Sequence, residues 1–274
     1  MKITFIGGGN MAAALIGGLK KRGFSAAGIQ VVEPIAEARE RLTNGFGVRC
    51  APALDAAALS CEVLVLAVKP QQMRDALLPL RERFAGVLKD QLVVSIAAGL
   101  RLADLGRWLG GHRRLVRTMP NTPALIGAGI TGLCADASVD REGRETAEKI
   151  LSAVGRTVWI DDEAQMDAVT AVSGSGPAYV FYFIEAIDQA ARNLGFSAEA
   201  ARLLAVETFL GAARLAESSS EPVAELRQRV TSKGGTTEAA LKSFDADHLR
   251  EAVERGVRAA AERGRELGDL LGRD

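Results

Sequence analysis

The chain has 274 residues, of which 34 are basic and 34 acidic, so its formal net charge at pH 7 is zero. Hydrophobic residues make up 48% and charged residues 25%, which is enough apolar side chain for the full core of one large or two ordinary domains. The absence of a basic block or stripe in the sequence argues against a nucleic-acid partner, and no apolar run approaches the length of a membrane span.

The cysteines and the N-terminal residues indicate the compartment. Cys50, Cys61 and Cys134 are far apart, odd in number and without metal-ligand spacing, so we expect reduced thiols that pack in a core, and no metal site. His112 and His248 lie among charged residues, and both are predicted to be at the surface. No cleavable signal peptide is recognised, and the protein is predicted to be cytoplasmic.

A glycine-rich turn joins the first predicted strand, residues 3–6, to the first predicted helix, residues 13–22. Gly7, Gly9 and Ala12 have the GxGxxA spacing. The first glycine permits the tight turn, the second lets a pyrophosphate approach the backbone, and the small third residue lets helix and strand pack closely. Because this turn follows the first strand of the chain, dinucleotide binding is favoured over a plain strand-to-helix turn.

The second predicted strand, residues 29–32, ends at Glu33. An acidic residue about 20 positions after the glycine turn usually binds the ribose hydroxyls of the adenosine half of the cofactor. Glu33 is therefore predicted to bind the ribose and to repel a 2′-phosphate. Arg39 and Arg41 on the next helix could still serve a 2′-phosphate, although exposed helix arginines are common.

Strands and helices continue to alternate up to residue 160, which predicts a parallel doubly wound α/β sheet. The further strands are predicted at residues 63–68, 92–96, 114–117, 129–133 and 157–160, and the helices at 36–44, 72–84 and 141–151. Ligands of such sheets bind at the carboxyl ends of the strands. Those ends carry Lys69-Pro70 and the small residues Ala97-Ala98-Gly99, which leave room for a flat ring or for close packing.

From Glu163 onward only helical spacing is found, so the chain is divided into residues 1–161, a dinucleotide-binding Rossmann domain, and 162–274, an all-helical domain. A break is predicted at residues 173–177, with Ser175 as N-cap and Pro177 in the first turn of the next helix. That helix begins with seven residues that are apolar on nearly every side. A helix of this kind must be buried, and so small a domain is expected to need a partner subunit to cover it.

A second anion cradle is predicted in the helical domain, at residues 232–237. Gly234 and Gly235 can form a concave turn. The following N–H groups then open a helix, where the dipole favours negative charge, and the hydroxyls of Ser232, Thr236 and Thr237 add donors. The alternative is a loop with an N-capped helix. A phosphate-binding P-loop is disfavoured because GxxxxGK[ST] is absent from the sequence.

The motifs together resemble those of the pyrroline-5-carboxylate reductase family, in order and spacing along essentially the whole chain. The stretches that carry the resemblance are residues 5–12 (FIGGGNMA), 67–71 (AVKPQ), 119–124 (MPNTPA), 172–179 (VSGSGPAY) and 230–241 (VTSKGGTTEAAL). The last of these is the most specific. The resemblance implies reduction of 1-pyrroline-5-carboxylate by NADPH or NADH, which is the final step of L-proline biosynthesis.

The resemblance also implies the site residues. Cofactor contacts would fall on the glycine turn, on residues 67–70 and on the end of the strand at 92–96: Gly7, Gly8, Gly9, Asn10, Met11, Ala12, Ala67, Val68, Lys69, Pro70, Ala97 and Ala98. Glu33 is added to these residues because of its position after the second strand. Substrate-carboxylate contacts would fall on the glycine turn of the helical domain: Ser232, Gly234, Gly235, Thr236 and Thr237. The fold implied is a Rossmann domain followed by a helical dimerisation domain, whose dimers often assemble into decamers with active sites where subunits meet.

Two positions depart from the common pattern of the family. Members that prefer NADPH commonly carry a small or amide residue where this chain has Glu33, which leaves the choice between NADPH and NADH open. Lys233 stands where many members have proline, and a lysine beside a carboxylate site adds attraction.

The reduction of a cyclic imine makes modest demands on the protein. The imine nitrogen is basic enough to take its proton from water, so the protein mainly has to orient the C=N carbon and hold the carboxylate. Thr237 is the predicted catalytic residue, which is expected to contact the substrate through its hydroxyl and to position the ring nitrogen. Two alternatives remain: a reductase related to β-hydroxyacid dehydrogenases, for which Lys233 is the candidate catalytic lysine, and a non-catalytic dinucleotide-binding oligomer module.

Overall fold

The computed structural model describes residues 1–83, 88 and 90–273. These residues form two compact units, and each is described by itself. The first unit comprises residues Met1–Ser175 and the C-terminal residues from Ala260 onward, and the second comprises Gly176–Ala259. The end of the third predicted helix, at Phe84, lies outside the described residues.

An eight-stranded sheet forms the centre of the first unit. Its strands are β1 (Ile3–Ile6), β2 (Ile29–Val32), β3 (Arg49–Ala51), β4 (Val63–Leu66), β5 (Leu92–Ser95), β6 (Leu115–Met119), β7 (Gly129–Ala135) and β8 (Gly155–Trp159). The spatial order is β3-β2-β1-β4-β5-β6-β7-β8. The chain crosses from β3 back to β4 on the other side of β1, so the direction in which strands are added reverses between β1 and β4, and such a switch point is where dinucleotides bind.

The sheet is parallel from β3 to β6, but β7 pairs with β6 antiparallel. β8 pairs parallel with β7, so the last two strands run against the other six. The predicted parallel doubly wound sheet is therefore confirmed from β3 to β6, and the parallel direction was wrong only at this edge. The physical reason is the connection between β6 and β7, which spans residues 120–128 and contains a short 3₁₀ turn at Thr122–Ile126. A parallel return needs a longer crossover.

Helices cover both faces of the sheet. They are α1 (Asn10–Lys21), α2 (Ala36–Phe46), α3 (Met73–Arg83), α4 (Leu102–Trp108) and α5 (Arg141–Leu151). Two apolar clusters result, one around Phe5, Leu15 and Val31 and the other around Leu64, Leu77 and Leu105. The strands β1, β4 and β5 are buried at every position, as expected of parallel strands with helices on both faces.

His112 corrects one of the surface predictions. The imidazole is 9% exposed, and its Nε2 atom lies 3.0 Å from the carbonyl oxygen of Gln91. The preceding residues Gly110 and Gly111 both have positive φ angles, 71° and 93°, and they turn the chain so that His112 packs inward. His248 is exposed as predicted.

The chain stays helical where a break was predicted. α6 (Met166–Val169) continues through a π-helical segment at Thr170–Gly174 into α7 (Gly176–Asn193). Ser175 has helical angles, φ −82° and ψ −23°, and its N–H donates to the carbonyl of Thr170. It is therefore not an N-cap, because the widened π turn absorbs the small residues without leaving the helix. Pro177 does lie in the first turn of α7, as predicted.

The second unit contains helices only among its described residues. After α7 come α8 (Ala198–Ser218), α9 (Val223–Arg229), α10 (Thr236–Ala246) and α11 (Leu249–Leu271), whose residues from Ala260 onward belong to the first unit. In the chain alone the apolar residues of α7 are far from buried, with Phe181 66% and Tyr182 70% exposed. No helix in the part of the chain that the structure describes is long and apolar enough to cross a membrane.

Candidate active site

The turn after β1 requires glycine at its first position. Gly7 has a φ of 98°, and a Cβ atom there would lie 2.7 Å from the carbonyl carbon and oxygen of Ala67. Both the backbone angle and the close approach exclude a larger residue. This contact brings the end of β1 against the residues that follow β4, which include Val68.

The second glycine of the motif leaves an open cradle. Gly9 is exposed and N-caps α1, and a Cβ built there meets nothing within 4 Å. The first N–H groups of α1 have no partner within the helix and face the same end, where the dipole favours an anion. Ala12, by contrast, is 1% exposed and packs into the core. The residues present therefore fit a pyrophosphate, which would occupy the space that a side chain at Gly9 would fill.

Glu33 is joined directly to this turn. Its Oε2 atom accepts a hydrogen bond from the backbone N–H of Gly8 at 2.8 Å, and its Oε1 atom accepts one from Ile35 at 2.9 Å. The residue is 8% exposed. The structure thus brings Glu33 to the glycine turn, as its position after β2 predicted, and fixes both of its oxygens.

Two guanidinium groups lie at the same rim. Arg39 donates through one nitrogen to the carbonyl oxygens of Glu33, at 2.8 Å, and Pro34, at 2.7 Å. Arg41 lies 3.5 Å from the carbonyl oxygen of Gly8. One carboxylate and two cations therefore lie at the rim of the glycine turn, and the charge of Glu33 does not act there alone.

The ends of β4 and β5 meet beside the cradle. Leu66 pairs with Ser95, and the N–H of Ile96 donates to the carbonyl of Leu66 at 3.1 Å. The predicted cofactor residues Ala67-Val68-Lys69-Pro70 and Ala97-Ala98 follow these strands directly, so the structure brings both stretches to one edge of the sheet. Lys69 is exposed there, whereas Ala97 is buried.

The glycine turn of the second unit has a defined backbone conformation that includes an internal hydrogen bond. Gly234 has a φ of 74°, and the N–H of Gly235 donates to the carbonyl of Ser232 at 3.0 Å. A Cβ at Gly235 would lie 2.6 Å from the Oγ atom and 3.1 Å from the carbonyl oxygen of Ser232, so a larger residue there would displace the serine side chain. α10 begins directly afterwards at Thr236, and Thr237 in its first turn is half-buried. The predicted substrate residues therefore lie together at one helix N-terminus.

Glu238 is a further residue of this turn that was not predicted. Its Oε2 atom accepts a hydrogen bond from the backbone N–H of Gly234 at 2.8 Å, and its Oε1 atom lies 3.4 Å from Nζ of Lys242. The bond from Gly234 and the charge of Lys242 hold the pKa of the Glu238 carboxyl below its usual range. A signal was available, because a glutamate three residues after an N-cap commonly reaches back to the backbone before the helix.

Asn121 and Arg117 were also missed. The Nδ2 atom of Asn121 donates to the carbonyl of Ser173 in the π-helical segment, and its Oδ1 atom accepts from the N–H of Ile130, both at 3.0 Å. Arg117, on β6, is almost fully buried and pairs with Glu163 at 3.0 Å and Asp167 at 3.1 Å. No local sequence pattern predicts such distant partners. Among the described residues, no group of three or more potential metal ligands is found.

The sheet with its switch point and glycine cradle defines an oxidoreductase of the dinucleotide-binding class. Residues 2–99 match the family described as NADP oxidoreductase coenzyme F420-dependent, and residues 163–267 match the family described as pyrroline-5-carboxylate reductase dimerisation. The pyrroline-5-carboxylate reductase of Pseudomonas aeruginosa is 50% identical over 272 residues, covering 99% of this chain and 98% of that protein. The chain therefore belongs to the pyrroline-5-carboxylate reductase family.

Solved structures agree with this assignment. A pyrroline-5-carboxylate reductase from Coxiella burnetii superposes with a TM-score of 0.91 at 41% identity, covering 97% of this chain and 98% of that one. The pyrroline carboxylate reductase of Plasmodium falciparum, solved with NADP bound, superposes with a TM-score of 0.85 at 29% identity, and 98% of each chain is covered. The fold predicted from the sequence, a Rossmann-type sheet followed by a helical dimerisation domain, is confirmed.

Proposed function

We propose that this protein reduces 1-pyrroline-5-carboxylate to L-proline with NADPH or NADH, as the last step of proline biosynthesis. The observation that carries the proposal, beside family membership, is the presence of two separate glycine-based anion cradles. One opens α1 at Gly9, where a dinucleotide pyrophosphate fits. The other opens α10 at Gly235 and remains for the carboxylate of the substrate.

The cofactor, when bound, supplies the hydride. The turn at residues 7–12 would hold its pyrophosphate through backbone N–H groups. Glu33 would face the adenosine ribose, with Arg39 and Arg41 at the same rim. The small residues Ala97 and Ala98 leave space for the nicotinamide at the end of β5.

The turn at residues 232–237 would hold the substrate carboxylate. The first N–H groups of α10 and the hydroxyls of Ser232 and Thr236 supply donors to an anion, and the helix dipole adds attraction. Thr237 would contact the reacting ring through its hydroxyl and orient the C=N carbon. No side chain needs to act as a strong acid, because the imine nitrogen takes its proton from water before reduction.

The alternative reductase function depends on a catalytic lysine in the helical part of the chain. The two lysines there differ in setting. Lys242 is paired with Glu238, and Lys233 is exposed within the cradle turn itself. An ammonium at that position suits attraction of a carboxylate. The imine reductase function is therefore favoured, and the Lys233→Ala variant separates the two: it should weaken substrate binding without abolishing turnover.

Assembly is proposed to proceed through the second unit, as a homodimer and then a decamer. Phe181 and Tyr182 on α7 are mostly exposed in the single chain. A groove of about 370 Å³ lies between α7 and α11, and its lining includes Tyr179 and Val253. A second copy of this apolar surface would cover Phe181 and Tyr182, which a monomer leaves exposed to water.

The three cysteines are free thiols, which suits the reducing cytoplasm, and we place the enzyme there. Light scattering should give a mass near ten times the 28.9 kDa of the chain. A monomer at micromolar concentration would contradict the assembly proposal.

The deciding experiment is a steady-state assay of the purified full chain with 1-pyrroline-5-carboxylate, run in parallel with NADH and NADPH. We expect oxidation of at least one cofactor and formation of L-proline in equal amounts. Oxidation of NADH or NADPH by β-keto acids but not by the imine would support the alternative reductase. Tight cofactor binding without turnover of either substrate would support a non-catalytic module.

A further inference from the structure

The turn that precedes α10 has little support from packing. Ser232, Lys233 and Gly234 are all exposed. Two adjacent glycines lose more conformational freedom on ordering than other residues would. A segment of this kind samples several conformations unless something ties it down, and a site on it is then only partly populated in the binding-competent form.

Two hydrogen bonds between described residues order this turn. One is the backbone bond from the N–H of Gly235 to the carbonyl of Ser232 at 3.0 Å. The other is the bond from the N–H of Gly234 to the Oε2 atom of Glu238 at 2.8 Å. Only the second joins the left-handed residue, Gly234 at φ 74°, to the body of α10. The carboxylate of Glu238 therefore links Gly234 to the helix, whereas Gly235 is joined to it by the bond from the N–H of Ala239 at 3.2 Å.

A carboxylate so close to an anion site has an electrostatic cost, because it repels the carboxylate of the substrate. The ammonium of Lys242 lies 3.4 Å from the other oxygen of Glu238 and offsets part of that repulsion. The pKa of Glu238 is lowered by the Gly234 bond and by Lys242, so the group remains ionised at neutral pH. The Glu238 carboxylate therefore stays charged next to an anion site, and its charge is offset by Lys242. This arrangement is expected of a group that supports the turn and does not bind the substrate.

We propose that Glu238 is a positioning residue for the substrate carboxylate. It accepts the N–H of Gly234 and thereby holds the turn in the shape in which the first N–H groups of α10 and the hydroxyl of Ser232 face the same side. Gly234 then supports the site through its backbone and does not itself donate to the substrate. The proposal rests on the proposed function, which assigns this turn to the substrate carboxylate.

Three variants separate the hydrogen bond from the charge. Glu238→Ala removes both, Glu238→Gln keeps an oxygen acceptor and removes the charge, and Lys242→Ala removes the ion pair and keeps the bond to Gly234. If the untethered turn is competent about one-tenth to one-fifth of the time, the KM for 1-pyrroline-5-carboxylate should rise about fivefold to tenfold in Glu238→Ala. The kcat should change less than about twofold, since the bound complex is the same.

The KM of Glu238→Gln should stay within about twofold of the wild-type value, and so should that of Lys242→Ala, while the KM for the cofactor should stay constant in all three. A merely structural role predicts lower stability in Glu238→Ala, with kcat and the KM for the cofactor changed as well as the KM for the imine. Equal KM values in wild type and Glu238→Ala would overturn the proposal. So would an equal rise in Glu238→Ala and Lys242→Ala, because it would assign the effect to the ion pair.

Amide hydrogen exchange of the peptide that contains residues 232–238 gives a readout that needs no turnover. Exchange should be faster in Glu238→Ala and should return to the wild-type rate in Glu238→Gln. Unchanged exchange in Glu238→Ala would overturn the proposal whatever the substrate is. Failure of the wild-type chain to reduce the imine would instead refute the proposed function, so the two failures are distinguishable.

Discussion

The Oε2 atom of Glu33 lies 2.8 Å from the backbone nitrogen of Gly8, so the carboxylate at the end of β2 holds the glycine turn that follows β1. The two segments are 25 residues apart in the chain. One side chain thus supports the glycine turn, and under the proposed function the same side chain would border the ribose. Changes at Glu33 should therefore affect cofactor choice and fold stability together.

Glu33→Ser should raise the ratio of kcat/KM for NADPH to that for NADH, because removing the carboxylate removes repulsion of a 2′-phosphate and leaves Arg39 and Arg41 at the rim. The same variant loses two hydrogen bonds from backbone N–H groups to a charged acceptor, and its free energy of unfolding should fall by about 1.5–3 kcal/mol. Glu37→Ser, an exposed glutamate in the first turn of α2, is the control and should change neither quantity. An unchanged cofactor ratio in Glu33→Ser would remove the residue from the ribose site.

The two glycines of the cradle should respond differently to alanine. Gly7→Ala places a side chain on a residue at φ 98° and within 2.7 Å of the Ala67 backbone, so it should lose about 1–2 kcal/mol of stability from the backbone angle alone and more from the clash. Gly9→Ala meets nothing within 4 Å and should leave the unfolding temperature unchanged while it weakens NADPH binding at least about tenfold. Thermal unfolding and cofactor fluorescence measure the two effects. Unweakened binding in Gly9→Ala would mean that the pyrophosphate does not lie there.

Removal of the buried cation Arg117 should lower the free energy of unfolding more than removal of an exposed arginine. Its side chain is 4% exposed and pairs with both Glu163 and Asp167. In Arg117→Met the two partly buried carboxylates lose their partner, and the free energy of unfolding should fall by about 3 kcal/mol. Arg141→Met is the control, because Arg141 is 92% exposed and its pair with Glu145 lies within one helix, and its denaturant midpoint should not move. Equal midpoints for the two variants would contradict this role for Arg117.

The thiols should differ in reactivity. Cys61 and Cys134 are buried, and burial raises the pKa of both, so little thiolate is present at neutral pH. Cys50 is partly exposed. Alkylation of the native protein at pH 7.5 should label Cys50 first, and the other two should react at comparable rates only after denaturation. Mass spectrometry of the labelled peptides measures the order, and early labelling of Cys61 would show that its environment opens in solution.

Much of the fold could be predicted from the sequence because local patterns determine it. The bounds of β1, β2 and α5 are those predicted, since apolar runs and helical spacing begin and end sharply there. β3 was missed because three residues are too few to show a period, and the short helix α4 was missed as well. The predicted parallel direction of β7 was wrong. The alternation of strand and helix patterns does not give the direction of a strand, which depends on the length of the connection that precedes it.

In the candidate site, too, features set by local sequence could be predicted and contacts between distant residues could not. Gly7 and Gly234 could be found from the sequence because positive φ angles select glycine and leave a recognisable spacing. The bonds from Gly8 to Glu33 and from Asn121 to Ser173 join residues 25 and 52 positions apart, and no local pattern encodes such pairs. The domain boundary at residue 161 and the individual site residues remain predictions.

The most direct test of the two-cradle arrangement is the Thr237→Ala variant, measured for kcat/KM with 1-pyrroline-5-carboxylate and for the dissociation constant of NADPH. Removal of a hydroxyl that contacts the substrate should lower kcat/KM at least about tenfold, or about 1.4 kcal/mol of transition-state stabilisation. The affinity for NADPH should stay unchanged. Ser243→Ala, an exposed hydroxyl farther along α10, should behave as wild type. A kcat/KM within about twofold of wild type, or about 0.5 kcal/mol, would contradict the assignment of this turn to the substrate.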